Sequence, residues 1–148
     1  MKKNIILLTL ALMATSALAI ERQKLNFNGG WLLEIGDFTE ASQPAFDDST
    51  WKQVTLPRAF NGDEAFRKDI VDLTDTIVWY RKHFKLSESE TKGKVFVEFE
   101  GVRQGADFYL NGQSLGLSEN GVMACGFDLT PYIKEGENVL AVRCDNSW

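Results

Sequence analysis

The chain has 148 residues, of which 44% are hydrophobic and 25% charged, and its 10 Phe and 4 Trp supply enough large apolar side chains for one folded core. This balance excludes a disordered or fibrous protein. With 16 Lys and Arg against 21 Asp and Glu, the net charge is -5 at pH 7, the wrong sign for binding nucleic acid or an anionic membrane.

Residues 1–19 have the pattern of a secretory signal peptide. Lys2 and Lys3 form a basic start, residues 5–14 are an apolar run, and small residues precede a cleavage point after Ala19. The run is shorter than the roughly 20 residues that a membrane-spanning helix needs, so we expect cleavage rather than anchoring. The sequence therefore predicts one domain, residues 20–148, in the periplasm or outside the cell and not held in a membrane.

The remaining chain reads as short β-strands separated by turns. Six segments are rich in β-branched and aromatic residues and lack a helical period, namely 31–35, 51–56, 76–86, 94–100, 106–110 and 138–144. Four Asn-Gly pairs punctuate them, and this pair favours the positive φ angles of tight turns. Residues 109–115 thus read as a hairpin that turns at Asn111-Gly112, and Leu140, Val142 and Cys144 as the buried side of the last strand.

Helix is scarce in the sequence. Residues 63–74 have partly helical spacing and residues 129–134 could form one turn, but neither is long enough to make a layer. No internal repeat or linker divides the chain. We therefore expect an all-β fold, an antiparallel sandwich or jelly roll.

The two cysteines, Cys125 and Cys144, leave two alternatives open in an exported protein. They could form a single disulfide, but sequence alone cannot show that their Cβ atoms approach, and an apolar core of this size does not need one. The favoured alternative is two free thiols. His83 is the only histidine, so neither a zinc site nor any cofactor is expected, and His83 itself is interpreted as structural or on the surface.

Glu98 and Glu100 are the pair of carboxylates whose spacing invites a catalytic interpretation. In 95–100 the apolar Val95, Val97 and Phe99 alternate with them, so both glutamates would share one strand face about 7 Å apart. Glycoside hydrolysis requires two carboxyl groups across a cleft, one of them with a raised pKa. No sequence feature supplies the cleft, so we interpret the pair as a solvated or interface-facing strand surface and expect no catalytic residue in this chain.

A set of motifs occurs in a fixed order along the sequence: FNGGW (27–31), FDDSTWKQVTLP (46–57), WYRKHF (79–84), FEGV (99–102), YLNG (109–112), FDLTPYI (127–133) and GENVLAVR (136–143). Through these motifs the sequence resembles the sugar-binding domain of glycoside hydrolase family 2, the family of β-galactosidases and β-glucuronidases. The resemblance covers nearly all of residues 25–147.

The resemblance implies a jelly-roll β-sandwich of the galactose-binding type. It also implies that this domain accompanies an immunoglobulin-like domain and a catalytic TIM barrel that carries two glutamates, neither of which fits in this chain. In the family the segment beginning Asp145-Asn146-Ser147 continues to a closing strand, so we expect the last strand of the sandwich to be missing. Many relatives have His, a variable residue and Trp where this chain has Arg58-Ala59-Phe60.

Candidate sugar-binding residues lie in the polar segment 58–75, because a long loop on a sandwich is a usual place for binding residues. In β-galactosidases the region it resembles leans towards the barrel and completes the substrate pocket. We therefore predict Asn61, Asp63, Glu64 and Arg67 as sugar-binding residues. Trp31, Trp51 and Trp79 are instead expected in the core, because each lies on or beside a predicted strand.

These expectations converge on one function with two alternatives. The chain is predicted to be the non-catalytic N-terminal domain of a β-galactosidase-like enzyme, with a β-galactoside-like glycan and the catalytic barrel as its partners. A freestanding carbohydrate-binding module on the same fold is the first alternative. A gene remnant that keeps only a structural docking surface is the second.

Overall fold

The computed structural model describes residues 22–61 and 75–147, and within them the fold is two antiparallel β-sheets packed face to face. Eight strands run β1 Trp31–Ile35, β2 Lys52–Val54, β3 Ile77–Leu86, β4 Phe96–Phe99, β5 Gly105–Leu110, β6 Gln113–Ser118, β7 Cys125–Asp128 and β8 Gly136–Asp145. A 3-10 helix, Thr39–Ser42, and a short helix α1, Glu88–Thr91, complete the elements. The predicted all-β fold is confirmed.

The larger sheet has six strands in the order β2-β1-β3-β8-β5-β6, and the smaller sheet pairs β4 with β7. The centre of the larger sheet is the ten-residue pairing of β3 with β8, from Ile77 opposite Asp145 to Leu86 opposite Gly136. Alternate residues of the central strands face the smaller sheet and form the main core. The fully buried members include Trp31, Val78, Phe108, Leu110 and Leu140.

The smaller sheet covers only part of the larger one. Phe127 of β7 packs on Phe108 of β5, with ring centroids 4.5 Å apart, and Phe99 of β4 contacts Phe108 at 5.0 Å and Trp31 at 6.3 Å. The inward residues Val97 and Phe99 confirm the alternation predicted for this strand.

The other face of the larger sheet is covered by the segment 36–51, which we call the strap. Its Ala41 and Trp51 pack with Trp79 and Ala141 in a second apolar cluster. Arg81 of β3 is fully buried and holds the strap: its Nε donates to Asp48 Oδ2 at 2.6 Å, and its Nη1 donates to the carbonyl oxygens of Ala41 and, at 3.0 Å, Gln43.

His83 lies beside this ion pair and joins two carboxylates. Its Nε2 is 2.8 Å from Asp48 Oδ2, and its Nδ1 is 3.4 Å from a Glu137 oxygen. His83 is exposed and makes these contacts, in agreement with its interpretation as structural or on the surface. Trp31, Trp51 and Trp79 are all buried, as predicted.

The structure also corrects several local predictions. β7 was not predicted, and the strand expected over 51–56 ends at Val54, before Leu56-Pro57, where proline has no N–H for a ladder. The single turn expected in residues 129–134 is confirmed, since the Tyr132 and Ile133 N–H groups donate to the Leu129 carbonyl. The short helix α1 begins with a capping box of Ser87 and Glu90.

Among the Asn-Gly pairs, Asn111-Gly112 has φ angles of 53° and 84° and makes the predicted β5–β6 hairpin. Neither Asn28-Gly29 nor Asn120-Gly121 has a positive φ, although Gly30 beside the first pair does, so the predicted positive φ is wrong at both pairs. Gly62 of the fourth pair, the predicted signal peptide and the partly helical segment 63–74 lie outside the described residues.

The described helices are all too short and too polar to cross a lipid bilayer.

Candidate functional site: a groove between the sheets

A groove of about 1180 Å³ opens between the two layers, along the side of β4 that faces away from β7. Its floor is made by inward residues of the larger sheet: Trp31 of β1, Val78 and Tyr80 of β3, and Val142 and Cys144 of β8. Within the described residues the larger sheet has six strands and the smaller sheet has two. The smaller sheet therefore leaves part of the larger sheet uncovered, and this uncovered part is the floor of the groove.

The rim of the groove is polar on both sides. The polar residues that line it are Lys24, Asn26, Asn28, Arg58, Asn61, Glu98, Glu100, Arg103, Gln104 and Asn146. Amides, guanidinium groups and carboxylates are the donors and acceptors that sugar hydroxyls need, and an apolar floor suits the C–H face of a sugar ring. The arrangement can therefore hold a carbohydrate.

Asn61 stands at this rim because the segment 56–61 is fixed at both ends. The Leu56 N–H donates to the Asn28 carbonyl at 2.9 Å, and the Tyr80 hydroxyl donates to the Arg58 carbonyl at 3.2 Å. Phe60 packs against the main core and anchors the residue before Asn61. Of the four predicted sugar-binding residues the structure thus brings Asn61 to the groove, while Asp63, Glu64 and Arg67 lie outside the described residues.

Glu98 of β4 and Glu100, just after the strand, are among the residues that line the groove, a cleft that no feature of the sequence indicated. Both are exposed, in agreement with a solvated strand face. Glu98 Oε1 lies 3.6 Å from Arg22 Nη2. Both side chains are more than half exposed, so water weakens this ion pair. Because Val97 and Phe99 are the inward residues of β4, the Glu98 side chain is on the opposite, solvent-facing side of the strand.

Two acidic protons in the floor are held in place by burial. Desolvation raises the pKa of the Cys144 thiol to about 12, so it stays neutral and unreactive near pH 7. Burial likewise raises the pKa of the Tyr80 phenol, so the hydroxyl stays protonated and donates a hydrogen bond to the Arg58 carbonyl. Tyr80 and Cys144 are therefore uncharged in the floor near pH 7.

Lys82 of β3 lies beside Phe27, one of the residues that line the groove. Its Nζ donates to the Gly29 carbonyl and lies 4.4 Å from the Phe27 ring centroid, a cation–π contact. Burial lowers the pKa of this ammonium group. Lys82 therefore occupies one face of Phe27, and that ring face is closed to a sugar.

Sequence reasoning missed most of the rim. Arg103 and Gln104 lie in the short connection between β4 and β5, where no residue pattern marks a binding position, and Lys82 sits at an inward position that its charge argues against.

The structure holds Cys125 and Cys144 as free thiols. No group of three or more His, Cys, Asp or Glu side chains in residues 22–61 and 75–147 is placed to hold a metal ion.

Comparison with known proteins identifies the family of this chain. The family model described as "Glycosyl hydrolases family 2, sugar binding domain" matches residues 22–148. The chain belongs to this family. A β-glucuronidase of Formosa agariphila is 42% identical over 135 residues, covering 85% of this chain and 14% of that protein. A β-galactosidase of Bacteroides ovatus is 36% identical over 142 residues, covering 90% of this chain and 17% of that protein.

Solved structures agree with the family assignment. The β-glucuronidase of Bacteroides uniformis superposes with a TM-score of 0.76 at 30% identity, over 86% of this chain and 15% of that one. The family 2 resemblance and its β-sandwich are thereby confirmed, and the chain is a sugar-binding domain of that family. It spans about one seventh of the length of these relatives.

Proposed function

We propose that this chain is the N-terminal sugar-binding domain of an exported β-galactosidase-like enzyme, and that the groove rim forms part of its glycan site. The observation that carries the proposal is a groove that combines an apolar floor with hydrogen-bonding side chains on opposite rims, in a domain of a sugar-binding family.

Residues on both sides of the groove can contact a sugar. Asn61 on one side and Arg103 and Gln104 on the other can donate hydrogen bonds to sugar oxygens. The partly buried ring of Phe60 lies beside Asn61 and offers an apolar contact for a sugar face.

The proposed partner is the catalytic barrel of the same enzyme, as the family resemblance implies. A rim that completes a pocket on another domain contributes a few hydrogen bonds, so the chain alone should bind a β-galactoside weakly, with a dissociation constant of about 1 mM or higher. Export is supported by the basic start, apolar run and small residues of positions 1–19.

Calorimetric titration with β-galactosides and, separately, β-glucuronides tests the binding proposal and ranks the two sugar classes. Asn61→Ala should weaken binding about 2- to 10-fold, the range for one lost hydrogen bond. Gln53→Ala removes a similar amide from exposed β2, outside the groove, and should change nothing. Equal losses in both variants, or no binding at all, would contradict the proposal.

The strength of binding separates the alternatives. Micromolar affinity of the chain by itself would favour the freestanding carbohydrate-binding module, because such a module needs a complete site. The chain should not hydrolyse aryl β-galactosides. Turnover that disappears in Glu98→Gln or Glu100→Gln would show that the non-catalytic assignment is wrong.

A further inference from the structure

The Asn-Gly pairs of this chain are chemically reactive as well as turn-forming. The glycine nitrogen can attack the carbonyl carbon of the asparagine side chain, and glycine has no Cβ to obstruct this attack. A fold slows the reaction where hydrogen bonds fix the asparagine amide or the backbone beside it, because these bonds must open first. Three of the four Asn-Gly pairs lie wholly within the described residues, and they differ in these hydrogen bonds.

The side-chain amide of Asn111, in the pair Asn111-Gly112, is held by three hydrogen bonds. Its Nδ2 donates to the Tyr132 carbonyl at 2.9 Å and to Asn138 Oδ1 at 2.8 Å, and its Oδ1 accepts from the Val139 N–H at 3.0 Å. The Nδ2 group is the part of the amide that must leave as ammonia. Deamidation of Asn111 therefore requires the hydrogen bonds of its leaving group to break.

The pair Asn28-Gly29 is held through its backbone. The Asn28 carbonyl accepts from the Leu56 N–H at 2.9 Å, and the Gly29 carbonyl accepts from Lys82 Nζ. To bring the Gly29 nitrogen onto the Asn28 side chain, the chain must rotate about the bond between Asn28 Cα and its carbonyl carbon. This rotation breaks the hydrogen bond to Leu56, so the fold opposes deamidation here as well.

The pair Asn120-Gly121, in the connection between β6 and β7, lacks these restraints. Within residues 22–61 and 75–147, neither Asn120 Nδ2 nor the Gly121 N–H has a hydrogen-bond partner. Asn120 is exposed, so water and solvent bases reach it. The Val122 N–H donates to Asn120 Oδ1 at 3.2 Å. This donor points at the oxygen on which negative charge develops when the Gly121 nitrogen attacks, and such donors stabilise the intermediate.

We propose that Asn120 is a site of spontaneous deamidation, with the Val122 N–H stabilising the charge that develops on Asn120 Oδ1. The Gly121 nitrogen gives its proton to a solvent base and bonds to Asn120 Cγ. The bond between Cγ and Nδ2 then breaks, and Nδ2 leaves as ammonia with a proton from the solvent. Water opens the resulting cyclic imide at either carbonyl carbon. Opening at Cγ gives aspartate, and opening at the backbone carbonyl carbon gives isoaspartate.

Deamidation changes the loop that contacts Arg103, one of the residues that line the groove. Gly121 lies so near that an added Cβ would be 3.2 Å from Arg103 Cγ. Isoaspartate lengthens the backbone by one carbon atom immediately before Gly121, so this contact must rearrange. Both products also place a new carboxylate next to Glu119, in the same loop.

Peptide mapping by mass spectrometry, after incubation of the folded chain in mildly alkaline buffer, tests the proposal. Asn120 should be converted about tenfold faster than Asn111 or more, because the hydrogen bonds of the Asn111 amide must break first. In concentrated urea the difference should largely vanish, since both residues precede glycine and only the fold distinguishes them. Enzymatic methylation of isoaspartate identifies the product at position 120.

Val122→Pro and Val122→Ala form a matched pair of variants. Both replace a side chain that is 86% exposed, but only proline removes the N–H that donates to Asn120 Oδ1. Conversion of Asn120 should slow about 2- to 10-fold in Val122→Pro, the range for one lost hydrogen bond, and stay unchanged in Val122→Ala. Equal rates in the two variants overturn the proposal. So does a folded chain in which Asn120 reacts no faster than Asn111.

Discussion

Replacing Asp48 by Asn should destabilise the fold through the buried cation that Asp48 neutralises. Arg81 is fully buried, and Asp48 is the carboxylate that receives its Nε at 2.6 Å. Removing one partner of a buried ion pair leaves an uncompensated charge and costs about 3 to 5 kcal/mol. A typical domain has only about 5 to 15 kcal/mol of stability, so Asp48→Asn should remove a large share of it.

The neighbouring carboxylate gives the control. Asp47 is exposed and its Oδ1 accepts a hydrogen bond from the Ser49 N–H at 3.1 Å, which the amide oxygen of Asn can also accept. Asp47→Asn should therefore change the free energy of unfolding by less than about 0.5 kcal/mol. The two variants differ in burial and in the charge that each carboxylate faces.

Urea denaturation followed by tryptophan fluorescence measures both variants, since Trp51 and Trp79 lie in the cluster under the strap. The double variant Asp48→Asn with Arg81→Met should regain part of the loss, because it removes the buried charge together with its partner. Equal stability of Asp48→Asn and Asp47→Asn would refute the reasoning. So would a double variant less stable than the sum of its single changes.

Three further outcomes follow from the same structure. Burial would raise the pKa of Asp48, but hydrogen bonds from His83 and Arg81 outweigh it and hold the pKa below its ordinary value, so stability should fall as the pH drops below about 4, and less steeply in Asp48→Asn. Acid denaturation curves of the two proteins check this. A thiol-reactive dye at pH 8 should modify Cys144 only after unfolding, because burial raises the pKa of this thiol to about 12; rapid labelling of Cys144 in the native protein would contradict its burial. Gly112→Ala should cost about 1 kcal/mol in thermal unfolding, because Gly112 has φ 84° and an added Cβ would lie 2.7 Å from Gln43, while Gly29→Ala, with no atom within 4 Å, should be nearly neutral.

Strands with strong local patterns could be predicted from the sequence. β1, β3, β5 and β8 alternate or concentrate β-branched and aromatic residues, and this pattern is local. The hairpin of β5 and β6 was predictable because Asn111-Gly112 accepts positive φ. β7 could not be recognised, because Gly126 interrupts a four-residue strand that gains its identity from pairing with β4.

The site was harder to predict than the fold. Loop composition and family resemblance pointed to Asn61, but the opposite rim depends on which part of the larger sheet the smaller sheet leaves open. That is a tertiary property, and alternation in 95–100 gives only which side of β4 Glu98 faces. The Arg81–Asp48 pair was equally hidden, since its partners are 33 residues apart and their approach depends on the path of the strap.

Amide chemical-shift mapping of a ¹⁵N-labelled chain titrated with a β-galactoside is the most direct test of glycan binding at the groove rim. At ligand concentrations about tenfold above a dissociation constant of about 1 mM, the largest shifts should fall on Asn61 and residues 98–104, on opposite sides of the groove. Asn61→Ala should reduce them. Shifts confined to the strap or to the β6 edge, or a spectrum that does not change, would contradict a glycan site at this groove.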